Sequence, residues 1–223
     1  MNIDSLTPGT HSGHVKTFLQ GNLQNPIIIE AGTAAGTDTK IFCEMFPQGY
    51  IYGFEPVPEL FNQAVKNTSM YKNVLIQNKA LSFQEAEQDL YLADMNNNAC
   101  ESSSLLPPKK HLEKHPNITF KSKITVKTIS LDSFVQEHNI QRVDLLWLDL
   151  QGIEPLVLKN SLNTLSRTKF LFTEISLIEI YDNNVLWPEY HEFLQSQGFE
   201  RLWDDLCLYG DSGNALLINK RLP

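Results

Sequence analysis

Glycines and acidic residues lie close together near the start of the chain, in a pattern that can hold a small ligand. Glu30 ends an apolar run, and Gly32 and Gly36 follow it before a stretch with helical spacing. Glycines at such a turn let a ligand approach the backbone, and the free N–H groups of the helix start attract anionic groups. Glu55 ends the next apolar run, 55 − 36 = 19 residues after Gly36, where an acid can bind both hydroxyls of a ribose. The two motifs together predict a site for a ligand that contains a nucleoside.

The spacing of the glycines distinguishes this turn from two common nucleotide-binding motifs. Gly32 and Gly36 are spaced GxxxG rather than GxGxxG, and no Lys-Ser or Lys-Thr pair follows Gly36 as it does in a P-loop. A nicotinamide cofactor is therefore disfavoured, although these residues leave it open. The alternative that the glycines and Glu30 only shape a tight strand-to-helix turn, without binding a ligand, also stays open.

Two later apolar runs end in acids as well. Asp149 follows the run at 143–148, and Glu174 follows the run at 170–173. Ligands of open α/β sheets bind at the carboxyl ends of the strands, so either carboxylate could act there as a general base. Asp149, Glu174 and Asp182 could alternatively bind a divalent cation through oxygens, and Asp149 could merely cap a helix that begins near Glu154. We predict a site without a metal.

The histidines and cysteines show no metal-ligand or nucleophile spacing. The six histidines do not pair at a metal-binding spacing, the three cysteines are far apart, and no G-x-S-x-G elbow is present. We therefore expect surface histidines and reduced thiols. His11 and His14 could nevertheless fold over the pocket with the N-terminal segment, and His111 and His115 fall in a long polar segment.

The elements that must position these residues alternate along the chain. Short apolar runs bounded by turn residues are separated by stretches of helical spacing, which is typical of an α/β protein with a parallel sheet. The predicted strands are 27–29, 50–54, 73–77, 88–93, 123–129, 143–148, 170–173, 199–203 and 214–219. The ten residues 204–213 between the last two strands are too few for a parallel crossover, so these strands are predicted to form an antiparallel hairpin.

Two segments stand apart from this pattern. Residues 1–25 are predicted to form an N-terminal segment that could cover the pocket, ahead of one domain at 26–223. Residues 95–120 are rich in Asn, Ser and Pro and too polar for the core. We therefore predict a long mobile loop there, acting as a lid over the substrate.

Composition limits the classes of protein to which the chain can belong. It has 223 residues, a net charge of −8 and 42% hydrophobic residues. The negative charge argues against a nucleic-acid binder, and the apolar content argues against a disordered chain. Because no apolar stretch is long enough for a membrane span and the start lacks the order of a signal peptide, we predict a cytoplasmic protein.

The motifs follow one another in the order seen in FkbM-like methyltransferases, which are class I S-adenosylmethionine-dependent enzymes. The similarity runs from about Ile27 to Asn219, and D-x-Q-G-x-E at 149–154 is its most specific element. The other motifs are E-x-G-x-x-x-G at 30–36, G-F-E-P at 53–56, N-K-A-L-S at 78–82, S-S-S-L at 102–105 and F-T-E at 172–174. One position departs from the family pattern, since Trp147 stands where members usually carry Lys. Trp147 is expected in the core of a buried strand.

The resemblance implies a Rossmann-like fold with helices on both faces of a mostly parallel seven-stranded sheet that ends in an antiparallel hairpin. It implies O-methyl transfer from S-adenosylmethionine to a hydroxyl of a small molecule or glycan. The residues that it assigns to the cofactor are Glu30, Gly32, Thr33, Gly36, Thr39, Glu55, Ala80, Leu81 and Asp149. From their positions at strand ends we expect Asp149 and Glu174 to act in catalysis, and we expect Ser103, Gln151 and Glu154 to contact the acceptor. A nicotinamide-dependent oxidoreductase and a catalytically silent binding module on the same fold are the alternatives.

Overall fold

The computed structural model describes residues 12–96 and 98–223, so the prediction for His11 lies outside the described residues. The strands are β1 (Ile27–Ala31), β2 (Tyr50–Phe54), β3 (Val74–Gln77), β4 (Ala80–Leu81), β5 (Glu87–Met95), β6 (Asn98–Ala99), β7 (Thr119–Ile129), β8 (Val143–Leu148), β9 (Thr168–Ser176), β10 (Phe199–Asp204) and β11 (Ser212–Asn219). The helices are α1 (Ser12–Asn22), α2 (Thr37–Met45), α3 (Pro58–Thr68), α4 (His111–Lys114), α5 (Leu131–Glu137), α6 (Glu154–Lys159), α7 (Leu162–Ser166), α8 (Trp187–Ser196) and α9 (Leu206–Tyr209). Each strand predicted from the apolar runs is present, with ends shifted by a few residues.

Seven strands form the main sheet, in the order β3-β2-β1-β8-β9-β11-β10. The pairs from β3 to β9 are parallel, whereas β11 runs antiparallel to both β9 and β10. The predicted C-terminal hairpin on a mostly parallel sheet is therefore confirmed. It arises because the connection between β10 and β11 is short and holds only the single turn of α9.

The register of the parallel strands brings the predicted acids to one edge of the sheet. Ala31 pairs with Phe54 on one side and with Leu148 on the other, and Leu148 pairs with Thr173. Glu55, Asp149 and Glu174 are the next residues along their strands, so they meet at the carboxyl edge.

The core lies on both faces of this sheet. One apolar layer includes Phe134, Leu158 and Leu194 from α5, α6 and α8. The opposite layer includes Phe18 of α1 and Phe42 of α2. Residues 12–22 of the N-terminal segment thus form a helix that is built into the core, with the rings of Phe18 and Phe170 in edge contact at 5.9 Å.

The segment at 95–120 is not the structureless loop that we predicted. It contains β6 and α4, and β6 adds to a second sheet with the order β4-β7-β5-β6. Ser104 of this segment is 1% exposed, and its hydroxyl donates to the carbonyl of Gln151 at 2.8 Å. The N–H groups of Lys109 and His111 both bond the carbonyl of Ile180. Only Ser104 and His111 are buried among the described residues of this segment, so most of it lies at the surface, as its polarity predicts.

In the described part of the chain, no helix has the length and apolar character needed to cross a bilayer.

Candidate functional site

A cavity of about 310 Å³ opens at the carboxyl ends of β1, β2 and β8. It brings together eight of the residues predicted from the sequence, namely Glu30, Gly32, Thr33, Glu55, Ala80, Leu81, Ser103 and Asp149. Five of its lining residues are acidic and one is basic, namely Glu30, Asp38, Glu55, Glu101 and Asp149 against Lys79. The cavity therefore suits a ligand with positive charge better than an anionic one.

Glu55 is held in place by two backbone N–H groups. Its Oε2 accepts from Ala34 N at 2.9 Å, and its Oε1 accepts from Val57 N at 2.8 Å. Burial raises the pKa of Glu55 to about 7, although both hydrogen bonds oppose the shift. Each carboxylate oxygen can accept a further bond, so the group can bind two ligand hydroxyls without losing its backbone partners.

Glu30 is the most isolated acid of the site. It is 2% exposed, and its Oε2 has no hydrogen-bond partner among the residues that the structure describes. Burial raises the pKa of Glu30 to about 8, opposed by the nearby Thr39 hydroxyl and Lys16 ammonium. A buried carboxyl group with an unused oxygen at a cavity wall is suited to a cationic hydrogen-bond donor.

The glycine turn has a different division of roles from the one predicted. Gly32 needs its small size, since a Cβ there would lie 2.0 Å from the carbonyl oxygen of Asp149. Gly36 does not line the cavity; a Cβ there would lie 2.9 Å from Ala64 Cα, so its lack of a side chain lets α2 approach α3. Thr39 is fully buried behind Glu30, and Thr37 and Asp38 line the cavity instead.

The far end of the cavity is apolar. Ala80 and Leu81 form β4, are both buried, and line this end together with Val57, Leu60 and Leu90. Such a surface can accept a flat aromatic base.

The Gln151 amide of the D-x-Q-G-x-E motif lies between two carboxyl groups, one from the motif and one from β9. Gln151 Nε2 donates to Asp149 Oδ1 at 2.5 Å and to Glu174 Oε2 at 3.2 Å. Asp149 has protein atoms close around its carboxyl group, but its side chain is accessible from the cavity. Burial raises the pKa of Asp149 to about 6, with Glu101 and Asp38 adding to the shift. An acid of this pKa can accept a proton near neutral pH.

Glu174 and Glu154 lie behind Asp149 and do not line the main cavity. Burial raises the pKa of Glu174 well above its usual range, and the charges of Asp149 and Glu154 add to this effect. Glu154 is 1% exposed and accepts from Leu150 N at 2.6 Å and from Gly152 N at 2.9 Å. Its position therefore fits a residue that shapes the turn, rather than one that contacts an acceptor.

Asp149, Glu154 and Glu174 are close enough together to be considered as ligands of one cation. Oxygens of Asp149, Glu154 and Glu174 lie within 4.8 Å of one another. The trio considered from the sequence is wrong in one member, because Asp182 lies instead at the surface, 3.5 Å from Lys109. The Gln151 amide already supplies hydrogen-bond donors to two of the three acids.

Trp147 is a core residue, as expected, and it also reaches the cavity. It is 5% exposed, and its ring stacks on Phe172 with centroids 3.5 Å apart. Lys16 Nζ lies 5.5 Å from the centre of the Trp147 ring and pairs with Asp38. The ammonium group of Lys16, in α1, thus lies next to Trp147 and Asp38, which both line the cavity.

Several residues of the site were not predicted from the sequence. Asp38, Lys79, Cys100 and Glu101 line the cavity, and Tyr181 contacts Gln151. Asp38 follows the glycine turn and Glu101 precedes the serines, so both lay next to recognised motifs. Tyr181 carried no such signal.

The family assignment rests on a direct match. A family model for the methyltransferase FkbM domain matches residues 30–201, more than half of the chain. The chain belongs to the FkbM methyltransferase family. This confirms the resemblance carried by its motifs, and with it the assignment to the S-adenosylmethionine-dependent methyltransferases.

Two curated relatives of this FkbM-family chain are named as methyltransferases. The 2-O-methyltransferase NoeI of Sinorhizobium fredii is 29% identical over 164 residues, which cover 72% of this chain and 68% of NoeI. The hexuronic acid methyltransferase AglP of Haloferax volcanii is 21% identical over 161 residues, which cover 72% of this chain and 60% of AglP. The chain thus spans about two thirds of the length of the curated relatives that it matches.

Solved structures confirm the fold class. The magnesium protoporphyrin IX methyltransferase of Synechocystis, solved with bound S-adenosylmethionine, has a TM-score of 0.55 at 10% identity, covering 93% of this chain and 77% of its own. Fibrillarin of Aeropyrum pernix, also solved with S-adenosylmethionine, has a TM-score of 0.51 at 13% identity, covering 92% of this chain and 73% of its own. An rRNA methylase of Streptococcus thermophilus has a TM-score of 0.53 at 13% identity, covering 94% of this chain and 97% of its own. At these identities the likeness shows the class I methyltransferase fold alone.

Proposed function

We propose that this FkbM-family protein transfers a methyl group from S-adenosylmethionine to a hydroxyl of a sugar or glycan. The observation that carries the proposal is the acid-lined cavity at the carboxyl ends of β1, β2 and β8. The sulfonium and ammonium groups of S-adenosylmethionine are cationic and suit these acids, whereas the pyrophosphate of a nicotinamide dinucleotide would be repelled. The curated relatives NoeI and AglP, whose names refer to O-methylation and to a hexuronic acid, support a sugar acceptor.

The unused oxygen of Glu30 provides a test of fit for the cofactor. A buried carboxyl oxygen without a partner gains a strong hydrogen bond when an ammonium group reaches it. Glu30 would therefore bind the methionine end of the ligand, close to the backbone at Gly32 and Thr33. Glu55 would accept from the ribose hydroxyls, and β4 would pack on the adenine.

Catalysis then requires alignment and a base. When bound, S-adenosylmethionine supplies a methyl group that is already strongly electrophilic. In the proposed step the acceptor oxygen forms a bond to the methyl carbon as the carbon–sulfur bond breaks, which leaves S-adenosylhomocysteine. Asp149 takes the hydroxyl proton, and the Gln151 amide holds its carboxylate in place. Positioning of the reactants can contribute about 7–11 kcal/mol, and a placed base typically contributes about 10²- to 10⁴-fold.

Cofactor binding is the first test of this function. S-adenosylhomocysteine should raise the melting temperature of the protein, because a ligand that binds only the folded state stabilises that state. NAD at the same concentration should leave the melting temperature unchanged. A shift with NAD but not with S-adenosylhomocysteine would contradict the proposal and support the oxidoreductase alternative.

Methyl transfer is the second test, and its product identifies the accepting group. The protein is incubated with isotopically labelled S-adenosylmethionine and with oligosaccharides that contain either neutral sugars or hexuronic acids. We expect a methyl ether that is stable to alkali; an alkali-labile methyl ester would show that a carboxyl group is the acceptor. Asp149→Asn should lower the rate about 10²- to 10⁴-fold, whereas the exposed control Asp182→Asn should not. Bound cofactor without transfer to any sugar would favour a silent binding module.

The cytoplasmic location and the lack of a nucleic-acid partner, both inferred from the sequence, stay predictions.

A further inference from the structure

Tyr181 lies behind the carboxyl groups of the site and has no role in the function proposed so far. It follows β9, and its side chain is 1% exposed. The ring packs against Gly152, where a Cβ would come within 3.2 Å of Tyr181 Cδ2. Its hydroxyl lies 2.7 Å from Gln151 Oε1 and 2.9 Å from the carbonyl oxygen of Ser102. Tyr181 thus connects the D-x-Q-G-x-E motif with the segment at 95–120.

The hydroxyl of Tyr181 acts as a donor. Burial raises the pKa of Tyr181 well above its usual range, and the charges of Glu174, Asp149 and Glu154 add to the shift. The phenol therefore keeps its proton at physiological pH and can donate it to either of the two oxygens. Donation to Gln151 fixes the amide oxygen on the side of Tyr181.

The orientation of the Gln151 amide matters because two acids face its other end. Its nitrogen lies 2.5 Å from Asp149 Oδ1 and 3.2 Å from Glu174 Oε2, so each amide hydrogen has its own carboxyl partner. If the amide were reversed, its oxygen would face both carboxyl groups and the bond to Asp149 would be lost. The backbone at Gln151 has φ 57°, a left-handed conformation that is uncommon for residues other than glycine.

We propose that Tyr181 is a positioning residue for methyl transfer, whose hydroxyl holds the Gln151 amide and, through it, the base Asp149. The inference rests on the proposed function. With Gln151 bound to Oδ1, Oδ2 of Asp149 is left to accept the proton of the acceptor hydroxyl. The other acids that interact with Asp149 or with its neighbours are Glu101, Asp38, Glu154 and Glu174. The hydrogen bond from Gln151 counteracts them by lowering the pKa of Asp149.

The test compares two variants that each remove one buried hydroxyl. Tyr181→Phe keeps the ring and deletes the donor to Gln151. Tyr190→Phe is the matched control, because Tyr190 is also 1% exposed and its hydroxyl lies 2.9 Å from Thr173 Oγ1. Melting temperatures of both variants establish that they are folded.

The first measurement does not need an acceptor. The side-chain amide signal of Gln151 in an NMR spectrum of ¹⁵N-labelled protein is assigned by its loss in Gln151→Glu. We expect slow hydrogen exchange of this amide in the wild type and in Tyr190→Phe, and about tenfold faster exchange in Tyr181→Phe. Equal exchange in all three proteins would overturn the proposal.

The second measurement uses a sugar acceptor found by the transfer assay. Tyr181→Phe should lower kcat about 10- to 100-fold, move the acid limb of the kcat profile to higher pH, and change S-adenosylhomocysteine affinity less than about twofold. Tyr190→Phe should match the wild type in all three respects. A Tyr181→Phe enzyme with wild-type kcat and an unmoved acid limb would also overturn the proposal. Failure of the wild type to methylate any sugar would contradict the proposed function instead, and the amide exchange would still decide the role of Tyr181.

Discussion

The carboxyl groups of this site are suited to different roles because their hydrogen-bond partners differ. Glu55 has two backbone donors, Asp149 has an amide donor, and Glu30 has an oxygen without a partner in the described structure. Burial raises the pKa of each, and the hydrogen bonds that each accepts oppose the rise. These contacts support a ribose ligand for Glu55, a catalytic proton for Asp149 and an ammonium ligand for Glu30.

The proposed role of Glu55 can be tested by a single substitution. Glu55→Ala should weaken binding of S-adenosylhomocysteine by roughly 1.5–3 kcal/mol, the range for hydrogen bonds to a charged group, which is about 10- to 150-fold in Kd. Isothermal titration calorimetry measures the change. Glu59→Ala is the control, since Glu59 is an exposed acid four residues away in the first turn of α3.

Unchanged affinity in a folded Glu55→Ala protein would show that Glu55 serves only the turn before Pro56. Circular dichroism should accompany the titration, because the substitution also removes the acceptors of Ala34 N and Val57 N.

At the scale of elements, the segment at 95–120 is attached to the site by a few specific bonds. Ser104 donates to the carbonyl of Gln151 and accepts from Leu106 N at 3.0 Å. Residues Tyr91 and Ser104 also form an antiparallel bridge. Since Ser103 and Glu101 of this segment line the cavity, its attachment should affect the acceptor side of the site.

Ser104→Ala should therefore loosen the segment. We expect faster proteolytic cleavage within 95–110 and slower methyl transfer, with little change in S-adenosylhomocysteine affinity. Ser102→Ala is the control, because Ser102 contacts Tyr181 through its backbone carbonyl oxygen, which the substitution keeps. If cleavage rates of the two variants are the same, the Ser104 hydroxyl does not hold the segment; an equal loss of cofactor affinity would place the segment in the cofactor pocket.

At the scale of the whole molecule, the buried acids make folding depend on pH. Burial raises the folded-state pKa of Glu30 and Glu154 to about 8 and that of Glu55 to about 7, from 4.5. The folded state therefore binds more protons than the unfolded state above pH 4.5, so stability falls as pH rises towards these values. His111 makes stability rise with pH, because burial lowers its pKa from 6.5 to about 4. This contribution is complete near pH 6.5, above which His111 is neutral in both states.

The ligand-free protein should consequently lose stability between pH 6.5 and pH 8. Each titrating acid steepens the slope by up to about 1.4 kcal/mol per pH unit. Glu30→Gln carries no charge and should raise the melting temperature at pH 8 and flatten the slope, while weakening S-adenosylhomocysteine binding. Differential scanning calorimetry at several pH values measures this. A wild-type melting temperature that is constant or rises over this range would contradict the expected burial of these acids.

The sequence by itself determined the strands, the hairpin and the position of Glu55. These follow from patterns within short windows: apolar runs mark buried strands, ten residues cannot make a parallel crossover, and a glycine turn precedes its acid by a fixed distance. The tertiary structure alone decided that Gly36 packs on Ala64 and that Ser104 is buried with its hydroxyl on the carbonyl of Gln151. It also brought Tyr181 to Gln151, 30 residues away. Such contacts depend on how distant segments pack against one another, and a short window of sequence carries no signal for them.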